Sequence, residues 1–279
     1  MCIRDRPKEI RIAVLGRPNI GKSTLVNTLL GHERHLVHDM PGTTMDPVDS
    51  MLEADGQRYL LVDTAGVRRK SRIDDKLERF VSLRSIKAIE RCHISLLVID
   101  GTVGPTDQDA KLAKLVQDRG RGLIVLVNKW DLAKNNEEMH SKDLEEDLQR
   151  RMPHVTWAPH IFISAKTGKG THRILPTVRG VFGSFNRRIP TGRINKWLER
   201  ALVAHSPPQR HHHPVRLYYA AQARVRPPTL VFFCNTPEAI HETYQRFLER
   251  RLRETFALEG SPVRLHFRRR RKLGEGEEA

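Results

Sequence analysis

The sequence is poor in cysteine, in aromatic side chains and in long apolar runs. Its three cysteines, Cys2, Cys92 and Cys234, are far apart and form no CxxC pair. A disulfide framework or a cysteine-based zinc site is therefore not expected, and a reducing cytosol is the expected compartment. The longest apolar run, 94–99, is far shorter than the ~20 residues that span a bilayer, and no N-terminal stretch resembles a secretory signal.

The chain instead offers enough apolar material for sizeable cores and a large excess of positive charge. It has 279 residues, of which 38% are hydrophobic, and its net charge is +16. This length suits two domains better than one. Residues 191–279 contain 17 Lys and Arg, nine Glu and no Asp, so they carry half of the excess charge. The balance favours a polyanionic partner, most simply a nucleic acid.

The order of apolar segments predicts a doubly wound α/β domain followed by a small α+β domain. Apolar strands are expected at 10–15, 59–62, 94–99, 123–127 and 160–163, with amphipathic helices between them. Strands this apolar are covered on both faces, which indicates a mainly parallel sheet. After a linker at 187–193, the pattern predicts a helix at 195–204, a loop at 206–214, strands at 215–222 and 230–234, a helix at 237–256 opened by Thr236 and Pro237, and a strand at 263–267.

We accordingly expect four segments: a disordered or non-native leader at 1–7, a first domain at 8–188, a second at 189–272 and a tail at 273–279. The Phe and Tyr residues of the second domain alternate in its strands, so we expect them in its core.

Residues 16–23 match the motif of a phosphate-binding loop. They follow a predicted strand and open a predicted helix, which is the context that this motif requires. Its amide groups and the helix N-terminus are suited to hold phosphates, Lys22 to reach the β- and γ-phosphates, and Ser23 to bind Mg²⁺. Together with the next residue, it consists of Gly16, Arg17, Pro18, Asn19, Ile20, Gly21, Lys22, Ser23 and Thr24.

Three further motifs narrow the nucleotide to GTP. In the DTAG motif, Asp63 is expected to hold Mg²⁺ through water and Gly66 to sense the γ-phosphate. In NKWD, the Asp131 carboxylate can accept hydrogen bonds from two guanine donors that adenine lacks. In SAK, the Ala165 N–H can bind guanine O6. These nucleotide contacts are predicted at Asp63, Thr64, Ala65, Gly66, Val67, Asn128, Lys129, Trp130, Asp131, Ser164, Ala165 and Lys166.

The loop between the first two motifs contains Thr44, which we expect to complete the Mg²⁺ shell when GTP is bound. Such a loop is ordered by the γ-phosphate and released on hydrolysis. Val67 stands where some GTPases carry a water-orienting Gln, so activation must come from elsewhere. Asn19 could hold a monovalent cation against the developing charge, and a partner protein is the competing source. We expect four residues to take part in catalysis of GTP hydrolysis: Lys22, Thr44, Gly66 and Asn19.

These motifs, and the segments 87–92 and 188–272, resemble the second GTPase domain and the closing KH-like domain of the Der/EngA family, bacterial tandem GTPases of ribosome assembly. The resemblance implies GTP hydrolysis coupled to maturation of the large (50S) ribosomal subunit, with Mg²⁺ and K⁺ as cofactors and rRNA as a partner in the cytoplasm. The family's first GTPase domain, an intramolecular partner in full-length members, is not represented here. Met45 replaces the usual Arg, and 191–272 contain no GxxG clamp.

Three other functions are compatible with part of the sequence. A tRNA-modification GTPase shares the Asn19-type loop, but it would need a folate-binding and helical region that is not found here. An Era-type GTPase also ends in a KH domain, whose RNA clamp should show GxxG. The third alternative is an RNA-binding scaffold in which GTP is structural.

Overall fold

The computed structural model describes residues 9–32, 49–64, 75–133, 141–207, 209–210 and 213–270. The chain divides into two compact units, 1–182 and 183–279. The predicted leader (1–7) and tail (273–279) lie outside the described residues. None of the helices in the described ranges combines the length and apolar composition needed to cross a membrane.

The first unit is built on a six-stranded sheet in the order β2-β3-β1-β4-β5-β6. All neighbouring strands are parallel except β2 and β3. The strands are β1 (Glu9–Leu15), β2 (Ser50–Ala54), β3 (Gln57–Val62), β4 (Ile94–Asp100), β5 (Gly122–Asn128) and β6 (His160–Phe162). The helices are α1 (Lys22–His32), α2 (Asp75–Arg91), α3 (Asp107–Asp118), the four-residue α4 (Trp130–Ala133), α5 (Ser141–Arg151) and α6 (Ile174–Phe185).

Helices cover both faces of this sheet. Successive residues of a strand point to opposite faces, so each strand contributes side chains to two cores. Ile12 and Leu96 pack in one core with α1 and α6. Ala13 and Leu97 pack in the other, with α2, α3 and α5. Strands β4 and β5 are buried along their whole length. The predicted doubly wound, mainly parallel fold is confirmed.

Strand β2 is an element that the sequence analysis did not anticipate. It pairs with β3 through a two-residue turn, Asp55-Gly56, in which both residues have positive φ, 49° and 69°. An Asp-Gly pair suits this turn because Gly has no side chain to oppose a left-handed backbone. The hairpin makes β2 the antiparallel edge of the sheet.

The second unit has the predicted α-β-β-α-β order, with two additions. Its elements are α7 (Thr191–Ala204), β7 (Gln209–Arg210), β8 (His213–Pro214), β9 (Leu217–Arg224), β10 (Thr229–Cys234), α8 (Glu242–Phe256) and β11 (Arg264–Arg269). Strand β10 lies between β9, which is antiparallel to it, and β11, which is parallel. Side chains of α7, α8 and the inner face of this sheet form one core.

Three local predictions for this unit were wrong. The predicted linker 187–193 ends inside a helix, because α7 starts at Thr191 and the Pro190 carbonyl already accepts the Ile194 N–H. The predicted loop 206–214 contains the β7–β8 hairpin. The predicted helix 237–256 is divided into a 3-10 turn, Pro237–Ala239, and α8, because Ile240 is extended and buried in the core.

The expectation that the aromatic residues of the second unit are core residues holds for Phe232 but not for Phe233, which is half-buried outside the core, or for two tyrosines. Tyr218 and Tyr219 are 43% and 40% exposed. The pairing of β9 with β10 shifts between Phe233 and Cys234, which leaves an extra residue in β9. A bulge of this kind interrupts strict alternation, so two successive side chains can point away from the core.

Candidate nucleotide-binding site

The parallel strands of the first unit end at a common edge of the sheet, where doubly wound folds bind ligands. The phosphate-loop motif follows β1, Asp63 follows β3, the NKWD motif begins at the last residue of β5, and Ser164 follows β6 by two positions. The four predicted motifs thus lie at one edge. Of the predicted site residues, Ala65, Gly66 and Val67 of these motifs and Thr44 of the loop between the first two lie outside the part of the chain that the structure describes.

The loop from Gly16 to Ser23 turns sharply between β1 and α1. Gly16, Asn19 and Gly21 have φ of 136°, 61° and 95°. A Cβ at Gly16 would come within 2.5 Å of the Val98 carbonyl oxygen, and one at Gly21 within 2.3 Å of the Asn128 amide nitrogen. Both positions therefore require glycine. The loop leads into the start of α1, where the backbone N–H groups have no partners within the helix and can bind an anion.

Lys22 is the first residue of α1, and its ammonium group folds back onto the loop. It donates a hydrogen bond to the Arg17 carbonyl. Burial lowers the pKa of Lys22 to about 8, although the nearby Asp109 carboxylate acts to raise it. Burial disfavours the charged form of an ammonium group, and an anion bound beside it favours that form. This is the behaviour expected of a phosphate-binding lysine.

Asp109 is a buried carboxylate that the sequence analysis missed. It lies in the first turn of α3 and is 0% exposed. Its Oδ2 atom accepts hydrogen bonds from the Thr106 N–H and hydroxyl, at 3.0 and 2.7 Å, and lies 3.3 Å from Arg17 Nε. Arg17 therefore connects the phosphate loop to α3. Its side chain pairs with Asp109, and its own carbonyl accepts the Lys22 hydrogen bond. The pairing was not visible in sequence because Arg17 and Asp109 are remote in the chain.

Asn128 joins three of the predicted motifs. Its side-chain nitrogen donates to the Ile20 carbonyl at 2.7 Å, and its side-chain oxygen accepts from the Ala165 N–H at 2.8 Å. Thr28 adds a bond from its hydroxyl to the Ala165 carbonyl at 2.8 Å. Both Asn128 bonds are buried, where an unmade partner costs about 1–3 kcal/mol. The phosphate loop, NKWD and SAK therefore form one hydrogen-bonded unit.

The residues after Asn128 complete this wall of the site. Lys129 has a positive φ of 61°, and its ammonium group lies 2.6 Å from an Asp100 oxygen. Burial acts to raise the pKa of Asp100, but hydrogen bonds from Lys129 and Thr102 outweigh it and lower the pKa. Trp130 packs against Phe162 with ring centroids 4.5 Å apart. Asp131 in α4 is half-buried. After β6, Ser164 and Ala165 are buried and Lys166 is exposed.

Asp63 is held by the segment that precedes β2. Its N–H donates to Asp49 Oδ1 at 2.9 Å, and the Arg91 guanidinium lies 2.6 Å from Asp49 Oδ2. Asp63 has a left-handed φ of 57°. Thr64 is buried, and its hydroxyl lies 2.9 Å from that of Ser50. The sequence analysis missed Asp49 and Arg91, which fix the backbone at the predicted magnesium-binding aspartate.

Comparison with known proteins identifies two family models in the chain. One described as "50S ribosome-binding GTPase" matches residues 11–129. One described as "KH-domain-like of EngA bacterial GTPase enzymes, C-terminal" matches residues 188–268. Among solved structures, Era in complex with MgGDPNP and nucleotides 1506-1542 of 16S ribosomal RNA is 21% identical, with a TM-score of 0.47 over 95% of this chain and 93% of that chain.

Curated relatives match nearly the whole chain. The GTPase Der of Caldanaerobacter subterraneus subsp. tengcongensis is 46% identical over 261 residues, which cover 94% of this chain and 59% of that protein. The GTPase Der of Syntrophobacter fumaroxidans is 47% identical over 266 residues, which cover 95% and 59%. The chain therefore spans about 59% of the length of these relatives. With both family models in this order and this degree of identity, the chain belongs to the Der/EngA family of GTPases.

Proposed function

We propose that this chain binds GTP, hydrolyses it to GDP and phosphate, and uses the cycle in assembly of the large ribosomal subunit. The observation that carries the proposal is the Asn128 bridge, which joins the phosphate loop to the two segments assigned to guanine. A site with these parts recognises both ends of one nucleotide. Membership in the Der/EngA family supports the same activity.

In this proposal, the chain's own groups bind and orient the nucleotide. The loop amides and the start of α1 hold the phosphates, while Lys22 leaves the Arg17 carbonyl to contact the β- and γ-phosphates. Asp131 accepts from the guanine N1–H and N2–H₂ groups, and the Ala165 N–H, which donates to Asn128 Oδ1 in this structure, would turn to guanine O6 or share its proton with it when the base binds. No covalent intermediate is needed, because water attacks the γ-phosphorus in line.

The described residues fit a magnesium ion. Ser23 at the start of α1 and Asp63 after β3 supply a hydroxyl and a carboxylate, which are the hard oxygen donors that Mg²⁺ prefers. They follow neighbouring parallel strands, so they lie at the same sheet edge. We propose Thr44, outside the described residues, as the third protein contact. Bound there, Mg²⁺ would offset charge on the β- and γ-phosphate oxygens.

Asn19 fits the role proposed for a potassium ligand. It is exposed in the left-handed turn of the loop, where an amide oxygen is available to a cation beside the phosphates. A K⁺ ion there would supply positive charge against the developing negative charge of the transition state. The ion would supply the activation that Val67 cannot, because this position lacks the water-orienting Gln that some GTPases carry.

The large ribosomal subunit and its rRNA are the proposed partners, and the ribosome in the cytoplasm is the proposed location. The description of the family model over residues 11–129 names 50S binding, and the net charge of +16 suits a polyanion. The longer relatives contain further sequence beyond the matched part. We propose that the family's first GTPase domain occupies that part and regulates this one.

The test is the GTPase rate of the 279-residue chain in K⁺ or Na⁺, with and without 50S subunits. We expect slow intrinsic turnover that rises with K⁺ and again with 50S subunits, and no turnover for Lys22→Ala. Sucrose-gradient association should be stronger with a non-hydrolysable GTP analogue than with GDP. Equal rates in K⁺ and Na⁺ would refute the potassium proposal, and preference for 30S subunits would favour the Era-type function. Nucleotide-independent 50S association without hydrolysis would favour the scaffold.

A further inference from the structure

The three-stranded sheet of the second unit has one face packed on α7 and α8, and its other face carries exposed side chains on both edge strands. On β11, Leu265 and Phe267 pack against the core, whereas the residues between and beside them are exposed. Because side chains alternate along a strand, the exposed ones lie on the opposite, outer face. The register places the following residues on that face: Tyr219 and Ala221 of β9, the buried Val231 and the half-buried Phe233 of β10, and Arg264, His266 and Arg268 of β11.

Within this outer face, three residues form a row across the strands. Phe233 pairs in register with Tyr219 on one side and with Arg268 on the other. The rings of Tyr219 and Phe233 are stacked, with centroids 4.4 Å apart and an interplanar angle of 16°. Tyr219 is 40% exposed and belongs to an edge strand of this sheet. An aromatic stack of this kind is a surface on which further flat rings can pack.

The charged side chains of the three strands are all positive, although Arg269 pairs with Glu238 outside the strands. Strands β9, β10 and β11 contain no Asp or Glu, but they carry Arg224, Arg264, Arg268 and Arg269. Beside the row, the Arg270 guanidinium lies over the exposed Tyr218 ring, 5.3 Å from its centroid. A partner that buries this face must therefore bring negative charge. Exposed aromatic rings flanked by arginines match the alternation of bases and phosphates in single-stranded nucleic acid.

We propose that the outer face of this sheet is a docking site for single-stranded RNA, in which an unpaired base stacks on Tyr219 and the backbone phosphates contact Arg264 and Arg268. The inference rests on the proposed ribosomal function and locates its rRNA contact on the sheet rather than at a GxxG clamp. Duplex RNA does not offer an unstacked base, so the face discriminates in favour of single strands.

The test is fluorescence anisotropy of labelled oligouridylate, about 12 nucleotides long, with the 279-residue chain. Tyr219→Ala should weaken binding about 5- to 100-fold, which is the usual effect of removing one stacking ring, and Tyr219→Phe should restore most of it. Arg268→Ala should reduce the slope of log affinity against log salt by about 0.7. Arg150→Ala serves as the matched control, because it removes one arginine, with a side chain 73% exposed, from α5 of the first unit.

Circular dichroism and thermal unfolding would establish that each variant is folded. The proposal is overturned if the folded Tyr219→Ala variant binds oligouridylate as the unmodified chain does, which is the outcome expected if the face contacts protein instead. It is also overturned if a duplex of the same length binds as tightly. In sucrose gradients, failure of the unmodified chain to associate with 50S subunits would refute the proposed function itself, whereas association left intact by Tyr219→Ala would count against the sheet face alone.

Discussion

Replacing Asp109 by Asn tests how the phosphate loop is held. The change removes the buried negative charge beside Arg17 but keeps an oxygen that can accept the two Thr106 hydrogen bonds. At 3.3 Å and an effective dielectric constant of about 20, the lost attraction is about 5 kcal/mol. Desolvation and the partial exposure of Arg17 offset much of this, so we expect a net loss of about 2–3 kcal/mol.

This loss should appear in nucleotide binding and not only in stability. The ion pair holds the loop segment that carries the phosphate-binding amides, so a loosened loop must be ordered by the ligand, and we expect GDP affinity to fall about tenfold. Asp109 also acts to raise the pKa of Lys22, which is about 8. Without that charge, Lys22 loses its proton at lower pH, so the affinity gap from the unmodified chain should widen from about pH 6.5 to about pH 8.5.

Calorimetric titration of GDP at several pH values measures this gap. Asp118→Asn is the control, because it removes an exposed carboxylate, 55% accessible, from the same helix. A folded Asp109→Asn protein with unchanged GDP affinity at every pH would refute the reasoning. So would an affinity loss that did not vary with pH, since the effect would then not pass through Lys22.

Three further changes test other parts of the site. Asn128→Ala should cost about 2–5 kcal/mol, because two buried partners are left unsatisfied; urea unfolding with and without GDP would measure it, and a loss below about 1 kcal/mol would contradict the bridge. GDP binding should take up a proton above about pH 8, because the phosphates raise the lowered pKa of Lys22; calorimetry in buffers of different ionisation enthalpy would count it, and Lys22→Arg should show no such uptake. Asp49→Ala removes the bonds that Asp49 makes with the Asp63 N–H and the Arg91 guanidinium, so it should raise the Mg²⁺ concentration needed for half-maximal GTP binding several-fold; unchanged Mg²⁺ dependence would contradict the positioning role.

The main architecture of the first unit could be predicted because the strands are continuous apolar runs. Strands β4 and β5 are buried on both sides, as is typical of parallel sheets whose two faces are covered by helices. Strand β2 was missed even though Asp55-Gly56 is a typical hairpin turn, since its own residues do not alternate clearly. In the second unit, the division of helix 237–256 depends on the burial of Ile240, which is a tertiary effect.

The candidate site could be predicted as far as local motifs define it. The strand ends that carry Lys22, Asp63, Asn128 and Ser164 follow from motif order and from the parallel sheet. The groups that hold these motifs in place could not be predicted, because each acts across the chain. Asp109 pairs with a residue 92 positions earlier, and such ionic partners leave no periodic pattern in the sequence.

The guanine specificity of the site is the central claim, and exchange of Asp131 tests it most directly. We expect calorimetry to show GTP binding and no ATP binding by the unmodified chain, because adenine leaves the half-buried carboxylate unpaired. Asp131→Asn should lose GTP affinity and gain affinity for xanthosine triphosphate, whose base offers an acceptor where guanine offers a donor. ATP binding equal to that of GTP, or unchanged GTP affinity in the folded Asp131→Asn protein, would contradict the account.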